Sequence, residues 1–389
     1  MKTDILIAGA GLSGLVIAER LSAAGARCLL VEKRGEIGGN CLDGYDEHGV
    51  LVHRYGPHYF RTNSSRIVRY LSRFTEWKRR EFKILSRTEG RYWSFPVNLT
   101  TFEQMIGRES SAAEFEAWLS QQRIPFKDPG CSEQVILSRL GRDFYERFFL
   151  NYTRKQWGRE PSELDPSVCR RIPVRMGREE RCFSERFQAI PSEGYHTLFR
   201  RMYEAMERTE LMLGTDYREI LGKVSHRHFV VTGPVDEFFD YRHGRLPYRT
   251  IRFEREHVSG DSLKARLPES CREGFWQPAV QVNYPGEEPF TRCVEIKHIT
   301  GQRCEGTTLV REYPEEHGPE TDPYYPVPSP ESCILHRRYA ETASQHPNIT
   351  FLGRLGTYRY LNMDQTVAFA LQAADILARR LGFSPLPLP

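Results

Sequence analysis

Three glycines near the start of the chain have the spacing of a site for a phosphate-containing cofactor. Gly9, Gly11 and Gly14 form a G-x-G-x-x-G pattern directly after a short apolar run, and a second apolar run ends at Glu32. Gly9 permits a tight turn, Gly11 lets the backbone approach a pyrophosphate, and Gly14 lets a helix pack closely on a strand. The pyrophosphate would lie at the positive end of that helix, and the Glu32 carboxylate would accept hydrogen bonds from the ribose. The sequence therefore predicts a dinucleotide-binding unit.

A second group of small residues follows this acid. Gly38 and Gly39 stand directly before Asn40. The pair resembles the second fingerprint of glutathione-reductase-like FAD proteins, in which the chain passes close to the cofactor, and it favours FAD over NAD. The sequence has no further G-x-G-x-x-G pattern, which argues against a separate NADPH domain.

The balance of charged residues does not indicate a nucleic-acid or membrane partner. Lysine and arginine total 55 against 51 acidic residues, and the basic residues are nine lysines and forty-six arginines. Guanidinium groups bind phosphate and carboxylate in a bidentate fork, although a GC-rich genome also explains an excess of arginine. The longest apolar stretch, 5–18, is too short and too glycine-rich to span a bilayer. We expect no nucleic-acid binding and no membrane insertion.

The nine cysteines are scattered and form no Cys-x-x-Cys pair. This pattern is typical of reduced thiols and not of a zinc site or a thioredoxin-like motif. We therefore expect a cytoplasmic protein without a bound metal.

Hydrophobic periodicity divides the remainder into helical and strand-rich parts. Helical patterns cover 64–75, 101–123, 132–158 and 362–381. Phe144 is expected to be a core residue, and Asn362 and Gly382 are the expected N-cap and stop of the last helix. From about 224 onward, short alternating runs separated by proline and glycine favour an antiparallel sheet.

A series of motifs extends along nearly the whole chain. In order, they read EKRGEIGGN, HRYGPHYFRTN, WSFPVNLTTF, NYTRKQWG, RRIPVR, VTGPVDEFFDYRHGRLPYR, REYP, DPYYPV and GRLGTYRYLNMDQ. Together with the glycine fingerprint, they resemble segments of the prokaryotic UDP-galactopyranose mutase family. A resemblance of this extent is far more specific than a shared FAD fold.

The resemblance implies an α/β (α+β multi-domain) fold with three parts. A Rossmann-like FAD-binding domain would comprise 1–80, 195–245 and 340–385. An inserted helical bundle over 98–182 would bind the uridine of the substrate. An antiparallel sheet domain, made of 81–97, 183–194 and 246–339, would lie over the substrate cleft.

The resemblance also implies an isomerase of cell-wall or polysaccharide biosynthesis that uses reduced FAD without net oxidation. Nitrogen-5 of the flavin would attack the anomeric carbon and displace UDP, and the glycosyl adduct would let the sugar ring open and close again through another hydroxyl. UDP-galactopyranose and UDP-galactofuranose would thereby be interconverted. The implied partners are a UDP-sugar, an external reductant and further copies of the chain in a homo-oligomer.

Two arginines and a histidine are the catalytic residues that the resemblance implies. Arg175 ends RRIPVR and Arg292 lies in FTRCVEIKH. They match paired arginines whose guanidinium groups would stabilise charge on the departing UDP. His58 lies in the YGPH segment, near the flavin, where a purely structural role is the alternative.

Further substrate contacts are implied residue by residue. For the uridine pocket, in which aromatic rings stack on the base, they are Phe148, Tyr152, Thr153 and Trp157. Core packing is the alternative for Trp157. The polar positions of the cleft are Asn98 and Asn283, and the phosphate-binding tyrosines are Tyr313 and Tyr360.

The start of the last helix is expected to contact the flavin. Arg354, Asn362 and Met363 lie there, and the positive end of the helix would point at the flavin pyrimidine ring. This dipole favours the anionic reduced flavin.

Three positions depart from the family pattern. Arg61 stands where a histidine is usual, Phe187 where a phosphate-binding tyrosine is usual, and Asn151 where a glycine is usual. The absent hydroxyl at Phe187 removes a phosphate contact, and Arg61 adds a charge close to the cofactor or the sugar.

These departures leave alternatives open. The same ring contraction on another nucleotide sugar is the first of them. An FAD amine oxidase or desaturase shares the glycine fingerprint, but it would have an apolar tunnel in place of paired arginines. A flavoprotein without catalytic activity is the last, and the presence of Arg175 and Arg292 argues against it.

Overall fold

The computed structural model of the chain describes residues 1–265 and 274–384. Within these residues, no helix has both the length and the apolar composition needed to cross a bilayer. The cysteines that lie in the described ranges are free thiols.

A parallel sheet of five strands is the centre of the dinucleotide-binding part. Its strands, in spatial order, are Thr209–Leu213, Cys28–Glu32, Ile5–Ala8, His228–Val231 and Ile349–Phe351. The three middle strands are buried along their whole length, as expected of a parallel sheet covered on both faces. Helices Leu12–Ala23 and Met363–Leu381 share one core with this sheet. Both helices begin at the edge where the strands end, so that their N-termini border one cavity.

The ends of these two helices agree with the sequence prediction. Gly25 follows the first helix with a φ of +97°. Gly382 ends the last helix with a φ of +83°, and Asn362 precedes its first residue. Left-handed glycines are the usual way to end a helix because they lack a Cβ.

A second sheet has seven strands. In spatial order they are Tyr325–Pro326, Tyr248–Val258, Thr307–Glu316, Arg292–Val294, Gln281–Asn283, Ile84–Thr88 and Arg91–Phe95. Neighbours are antiparallel except Gln281–Asn283 and Ile84–Thr88, which are parallel. The sheet, which was predicted to be antiparallel, is therefore mixed. The hairpin formed by Ile84–Thr88 and Arg91–Phe95 comes early in the chain and pairs with a strand that comes much later. No turn connects these two strands directly, so no turn fixes their relative direction.

The inserted helical part packs around aromatic side chains. Its elements are the helices Leu99–Ile106, Ala112–Gln122, Ser132–Phe144, Asn151–Trp157 and Ser167–Arg170, the π-helical turn Tyr145–Leu150 and the 3₁₀ turn Pro161–Glu163. Phe144 is fully buried, and its ring centre lies 5.4 Å from that of Trp118, which confirms the core prediction. Gly141 kinks its helix with a φ of +76°, and a Cβ there would lie 2.5 Å from the Gln122 carbonyl oxygen.

Two small sheets connect these parts. One has the order Phe60–Thr62, Phe187–Pro191, Trp77–Lys78, and the other pairs Asp43–Tyr45 with Leu51–His53. The segment 183–194, assigned from the sequence to the large sheet domain, thus pairs with strands of the 1–80 segment. The reason is that Phe187 and its neighbours pack on the core of the parallel sheet.

The remaining helices cover the sheets and connect their strands. They are Gly39–Cys41 (3₁₀), Ser65–Leu71, Tyr195–Glu204, Tyr217–Ile220, Val235–Phe238, Gly260–Ala265, Lys297–Thr300, Pro330–Ser344 and Gly353–Gly356. Helix Pro330–Ser344 crosses the expected boundary at 339/340, and its Tyr339 packs in one cluster with Val235 and Tyr358.

Candidate active site

A cavity of about 250 Å³ lies at the carboxyl ends of the parallel strands. Gly9, Gly11 and Glu32 line it, in agreement with the sequence. Gly9 has a φ of +102°, and a Cβ there would lie 2.1 Å from Oγ1 of Thr232. Gly14 has a different task, because a Cβ at Gly14 would lie 1.8 Å from the carbonyl oxygen of Gly9. Gly14 therefore lets the helix pack closely against the strand, whereas Gly9 and Gly11 line the cavity.

The second glycine pair closes on the first. The backbone N–H of Gly38 donates to the carbonyl oxygen of Ala10 at 2.8 Å. A Cβ at Gly39 would lie 2.9 Å from Cα of Gly11, so only glycine permits this approach. Gly39 and Asn40 line the cavity, whereas Gly38 supports it from behind.

The acidic residue and a neighbouring arginine complete this cavity. Glu32 accepts hydrogen bonds from the backbone N–H groups of Ala10, at 2.7 Å, and Arg34, at 2.9 Å. Arg34 donates to Asp322 at 2.6 Å and to Asn40 at 3.0 Å. Its Nη1 is buried and has no hydrogen-bond partner among the described residues. A buried guanidinium donor in the wall of a glycine-lined cavity fits a cofactor that carries a diphosphate.

A second cavity of about 470 Å³ adjoins the first. The residues that line both are Asn40, His58, Tyr324, Arg354 and Met363. We call these five residues the junction. A ligand of the second cavity would meet the end of a cofactor that extends out of the first.

One end of the second cavity is aromatic. Phe148, Tyr152, Thr153 and Trp157 line it, and Asn283 does so from the large sheet. Trp157 is only 6% exposed, and its ring centre lies 6.3 Å from that of Tyr325. Trp157 therefore belongs both to the core and to the cavity wall. Burial raises the pKa of Tyr152 to about 12, so its hydroxyl is a neutral hydrogen-bond donor at pH 7.

Three arginines and two tyrosines meet in this cavity, and we call them the arginine–tyrosine cluster: Arg171, Arg292, Arg354, Tyr325 and Tyr360. The tyrosine rings are stacked, with centres 5.5 Å apart and planes at 16°. The guanidinium carbons of Arg171 and Arg354 lie 4.0 Å and 4.9 Å from the centre of the Tyr360 ring. Nη2 of Arg292 donates to the Tyr325 hydroxyl at 3.4 Å.

The electrostatics of the cluster favour an anion. Arg292 donates from Nε to Glu312 at 2.6 Å, and the carboxylate is completely buried. Burial opposes the charge of Arg292, but Glu312 raises its pKa well above the usual value. Burial also acts to raise the pKa of Tyr360, yet Arg171 and Arg354 lower it to about 8. An excess of positive charge thus lies in a cavity that phosphate groups could enter.

His58 is held in one orientation at the junction. Its backbone N–H donates to Nδ1 of His53 at 2.9 Å, and its own Nδ1 lies 2.9 Å from the Gly56 carbonyl oxygen. Burial, followed by the charge of Arg354, lowers the pKa of His58 to about 4. Burial lowers the pKa of His53 to about 3. Both rings are neutral at pH 7, and since Gly56 can only accept, Nδ1 of His58 carries the proton and Nε2 is an acceptor.

Arg61 lines the second cavity as part of an ion pair. It pairs with Glu185 and donates to Oδ1 of Asn362 at 3.1 Å. Its guanidinium carbon lies 4.1 Å from the centre of the Phe183 ring. The charge that this residue brings to the cavity is therefore balanced by Glu185.

Two family models match the sequence. The model described as UDP-galactopyranose mutase covers residues 147–360, and a model of an NAD(P)-binding Rossmann-like domain covers residues 7–74. A probable UDP-galactopyranose mutase of Klebsiella pneumoniae is 36% identical over 378 residues, which is 96% of this chain and 94% of that protein. The chain belongs to the UDP-galactopyranose mutase family. The resemblance read from the motifs is confirmed.

Other relatives and solved structures agree with this family. The dTDP-fucopyranose mutase of Escherichia coli is 33% identical over 381 residues, 96% of this chain and 97% of that protein. The fold is similar to the crystal structure of a reduced UDP-galactopyranose mutase, with a TM-score of 0.75, 17% identity, and 98% and 94% of the two chains covered. It is also similar to putrescine oxidase, with a TM-score of 0.59, 14% identity, and 97% and 100% covered. These likenesses confirm the α/β multi-domain fold with a Rossmann-like domain.

Asn98 has a structural position that differs from the prediction. It is completely buried, and its Oδ1 accepts from the Thr101 N–H at 3.1 Å while its Nδ2 donates to Ser94 Oγ at 2.9 Å. These bonds cap helix Leu99–Ile106 and leave the side chain outside the cavity walls.

Phe187 and Tyr313 are also not among the described residues that line either cavity. The Phe187 ring packs edge-on against Trp77, with centres 5.3 Å apart. The Tyr313 ring lies under the guanidinium of Arg252, at 4.1 Å. Side chains alternate along a strand, and the preceding residue, Glu312, is the one that reaches Arg292. This geometry therefore supports neither the prediction that Tyr313 binds phosphate nor the prediction that Phe187 lies at the substrate.

Arg175 lies beside the second cavity and not in its wall. Its backbone N–H donates to the Val97 carbonyl oxygen at 3.1 Å, and Pro173, two residues before it, lines the cavity. Nη1 of Arg175 is buried and has no hydrogen-bond partner in the described part of the chain.

The expected contacts at the last helix are found close to both cavities. Arg354 and Met363 belong to the junction, and Asn362 lines the second cavity. Arg354 is held by hydrogen bonds to the carbonyl oxygens of Leu361, at 2.8 Å, and Tyr324, at 3.4 Å.

The residues of the site that were not identified from the sequence include Arg171, Glu312 and Tyr325. Each stands inside a motif that was recognised, and Glu312 directly precedes Tyr313, which was chosen instead. For REYP, the strand alternation was a usable signal, since only one of two successive side chains can face the cavity. For Arg171 and Tyr325 the sequence holds no such signal, because both lie in short or irregular segments.

Proposed function

We propose that the protein is an FAD-dependent mutase that interconverts UDP-galactopyranose and UDP-galactofuranose. The junction is the observation that carries this proposal, because a dinucleotide cavity and a cationic, aromatic cavity meet there. Membership of the family and the name of the Klebsiella relative support the substrate. The glycine pair supports FAD rather than NAD.

The second cavity has a place for each part of a nucleotide sugar. The uracil base would pack at the aromatic end, between Phe148 and Trp157, with hydrogen bonds from Tyr152 and Thr153. Such stacking contributes about 1–3 kcal/mol per base. The pyrophosphate would lie on the arginine–tyrosine cluster. The sugar would then reach the junction, beside His58 and Asn362.

The cluster would stabilise the charge that develops on the departing UDP. Arg292 is suited to this because Glu312 holds its Nε, and because the long contact of its Nη2 with the Tyr325 hydroxyl, at 3.4 Å, could be replaced by a hydrogen bond to a phosphate oxygen. Arg175 is proposed as the second such arginine. Its buried, unpaired Nη1 would gain a partner in a pyrophosphate oxygen, whereas an unpaired buried donor costs about 1–3 kcal/mol.

When bound and reduced, FAD supplies the nucleophilic nitrogen-5 that this ring contraction needs. The glycine segments and Glu32 would hold its adenosine diphosphate. Helix Met363–Leu381 begins at the junction, and its positive end would favour negative charge on a reduced flavin. Neutral His58 would accept a hydrogen bond through Nε2 from the sugar or the flavin.

A different nucleotide sugar is the second candidate. The Arg61–Glu185 pair beside Asn362 favours it, because charged side chains stand where the sugar would lie. The 33% identity to a dTDP-fucopyranose mutase is consistent with this candidate. The likeness to putrescine oxidase concerns the fold, and the cationic cavity disfavours an amine substrate.

The proposal extends to the cellular setting. Free thiols favour a reducing compartment, and we place the enzyme in the cytoplasm with an external reductant for the flavin. A role in polysaccharide biosynthesis and a homo-oligomeric state follow from the family resemblance.

Product formed per electron supplied tests the proposed function. The enzyme is isolated in air, assayed with UDP-galactofuranose or UDP-galactopyranose in large excess, and then assayed anaerobically after dithionite. We expect no turnover before reduction and many turnovers afterwards without further reductant, with a product of unchanged mass. A ratio fixed near one product per two electrons would show net redox chemistry and overturn the proposal.

A further inference from the structure

Lys155 has an unusual set of partners next to the second cavity. Its Nζ donates to four backbone carbonyl oxygens: Tyr284 at 2.5 Å, Gly286 at 3.0 Å, Glu288 at 2.7 Å and Phe290 at 3.1 Å. An ammonium group has three hydrogens, so at least one of them is shared between two carbonyls. The four oxygens form a cage that is filled by the lysine charge.

The two elements joined by this cage both contribute to the cavity. Lys155 lies on helix Asn151–Trp157, which supplies Tyr152, Thr153 and Trp157 to the aromatic end. The caged segment, 284–290, is the loop of the hairpin between Gln281–Asn283 and Arg292–Val294.

The hairpin places its functional side chains on both sides of the loop. Asn283 lies opposite Arg292 in the register, and both line the cavity. The hairpin is continued by the bond from the Tyr284 N–H to the Thr291 carbonyl oxygen, at 2.8 Å. Since the loop ends two residues before Arg292, a change in the conformation of the loop would also move Arg292.

We propose that Lys155 is a positioning residue that sets the distance between the base-binding helix and Arg292. This inference rests on the proposed function, because it concerns how a ligand spans the two elements. Without the ammonium, four carbonyl dipoles converge with no partner, and the loop would open to relieve their repulsion. The base and the pyrophosphate would then no longer fit their two sites at once.

A second lysine with a similar set of backbone carbonyl partners offers a matched control. Nζ of Lys297 donates to the carbonyl oxygens of Gly274 at 3.2 Å, Cys304 at 2.8 Å and Gly306 at 2.8 Å. Lys297 is 5% exposed, and the residues that line the two cavities do not include it or its three partners within the described ranges. Its loss should lower stability at least as much as the loss of Lys155 but should leave the geometry at Arg292 unchanged.

The test compares Lys155→Ala with Lys297→Ala in the reduced, FAD-loaded enzyme. For Lys155→Ala we expect kcat/KM to fall by about 100-fold, the effect of a misplacement of about 1 Å. Ammonium or potassium ions should refill the cage and restore part of this activity, whereas tetramethylammonium at equal ionic strength should not. Lys297→Ala should lower Tm and leave kcat/KM within about threefold of the parent, the scale of a substitution without a shared partner. If Lys297→Ala does not fold, Lys297→Arg replaces it.

A double variant shows whether Lys155 acts through Arg292. In an Arg292→Lys background, Lys155→Ala should cost much less than it does alone, because coupled residues are not additive. Fully additive losses, or the absence of specific rescue by ammonium, would overturn the inference. UDP affinity of the oxidised protein is measured in parallel. If the parent binds UDP but turns over no sugar, the proposed function fails, and the same rescue experiment on UDP affinity still decides the role of Lys155.

Discussion

The guanidinium carbon of Arg171 lies over the Tyr360 ring, 4.0 Å from its centre. Together with Arg354, it lowers the pKa of the Tyr360 hydroxyl to about 8, against the opposing effect of burial. The hydroxyl is neutral below this pH and becomes a phenolate above it. A phenolate would neutralise the guanidinium groups that the phosphates need.

UDP affinity should therefore decrease as the pH rises through about 8. Below that pH the arginines are free for the phosphate, and above it each pH unit should weaken binding by up to about tenfold, because the ligand must displace the internal negative charge. Calorimetric titration with UDP between about pH 7 and about pH 9.5 measures this, in a range where the phosphate itself no longer titrates.

Tyr360→Phe should bind UDP with little pH dependence in the same range. Tyr313→Phe is the control, since that ring lies outside both cavities under Arg252. Parallel pH curves for the parent and Tyr360→Phe would contradict the proposed role of the Arg171–Tyr360 contact.

The two arginines that we propose to stabilise the leaving group should affect turnover and not cofactor content. Arg175→Ala and Arg292→Ala should each lower kcat by about 100- to 1,000-fold, the usual effect of removing one charge-stabilising donor. Steady-state kinetics after dithionite and the flavin-to-protein absorbance ratio measure the two quantities. Near-normal rates in both variants would show that the departing UDP lies elsewhere.

Loss of Arg292 also leaves Glu312 buried without its partner, which can cost about 3–5 kcal/mol of stability. Arg292→Lys keeps a positive charge beside Glu312 and removes only the bidentate guanidinium group. This variant therefore distinguishes an effect on catalysis from an effect on stability. Arg252→Ala is the surface control, because Arg252 pairs with Glu315 outside the cavities.

Much of this site could be read from residue types and spacing. The glycine fingerprint and Glu32 are local, since strand, turn and helix follow one another in the chain, and they lie where the pattern predicts. The aromatic end of the second cavity could be predicted for a related reason, because Phe148 and Tyr152 lie one turn apart on neighbouring helical segments.

What the sequence could not supply are contacts between distant segments. Arg171 and Tyr360 lie in separate irregular segments, whereas Arg292 and Glu312 lie opposite each other on adjacent strands of the seven-stranded sheet that are distant from one another in the chain. The parallel pairing of Gln281–Asn283 with Ile84–Thr88 is of the same kind. In each case tertiary packing selects one partner from many chemically similar ones, and forty-six arginines make that selection invisible in a single sequence.

Gly14→Ala should impair cofactor binding although Gly14 does not face the cavity. The added Cβ would lie 1.8 Å from the Gly9 carbonyl oxygen, and neither backbone atom can move without shifting the helix from the strand. Overpacking of this kind costs about 1–3 kcal/mol. We expect a lower flavin-to-protein ratio and a lower Tm. Gly35→Ala is the control, because nothing lies within 4 Å of a Cβ at that position. Full flavin content in Gly14→Ala would show that the strand–helix contact does not shape the site.

The Arg61–Glu185 pair should decide how well the enzyme distinguishes sugars. The pair adjoins Asn362, beside the junction, whereas the base would lie at the aromatic end. Hydrogen bonds from charged groups contribute about 1.5–3 kcal/mol each. Arg61→Met should therefore change the ratio of kcat/KM for UDP-galactopyranose over its 6-deoxy analogue by at least about tenfold, while UDP affinity stays unchanged.

Arg79→Met is the control. It removes an arginine–aromatic contact outside the cavities, where Arg79 covers the Phe187 ring at 5.0 Å, and it should leave the ratio of kcat/KM unchanged. Competition between the two sugars in one reaction measures the ratio directly. An equal loss for both sugars, accompanied by weaker UDP binding, would mean that the pair holds the segment of Phe183 and Glu185 in place and does not contact the sugar.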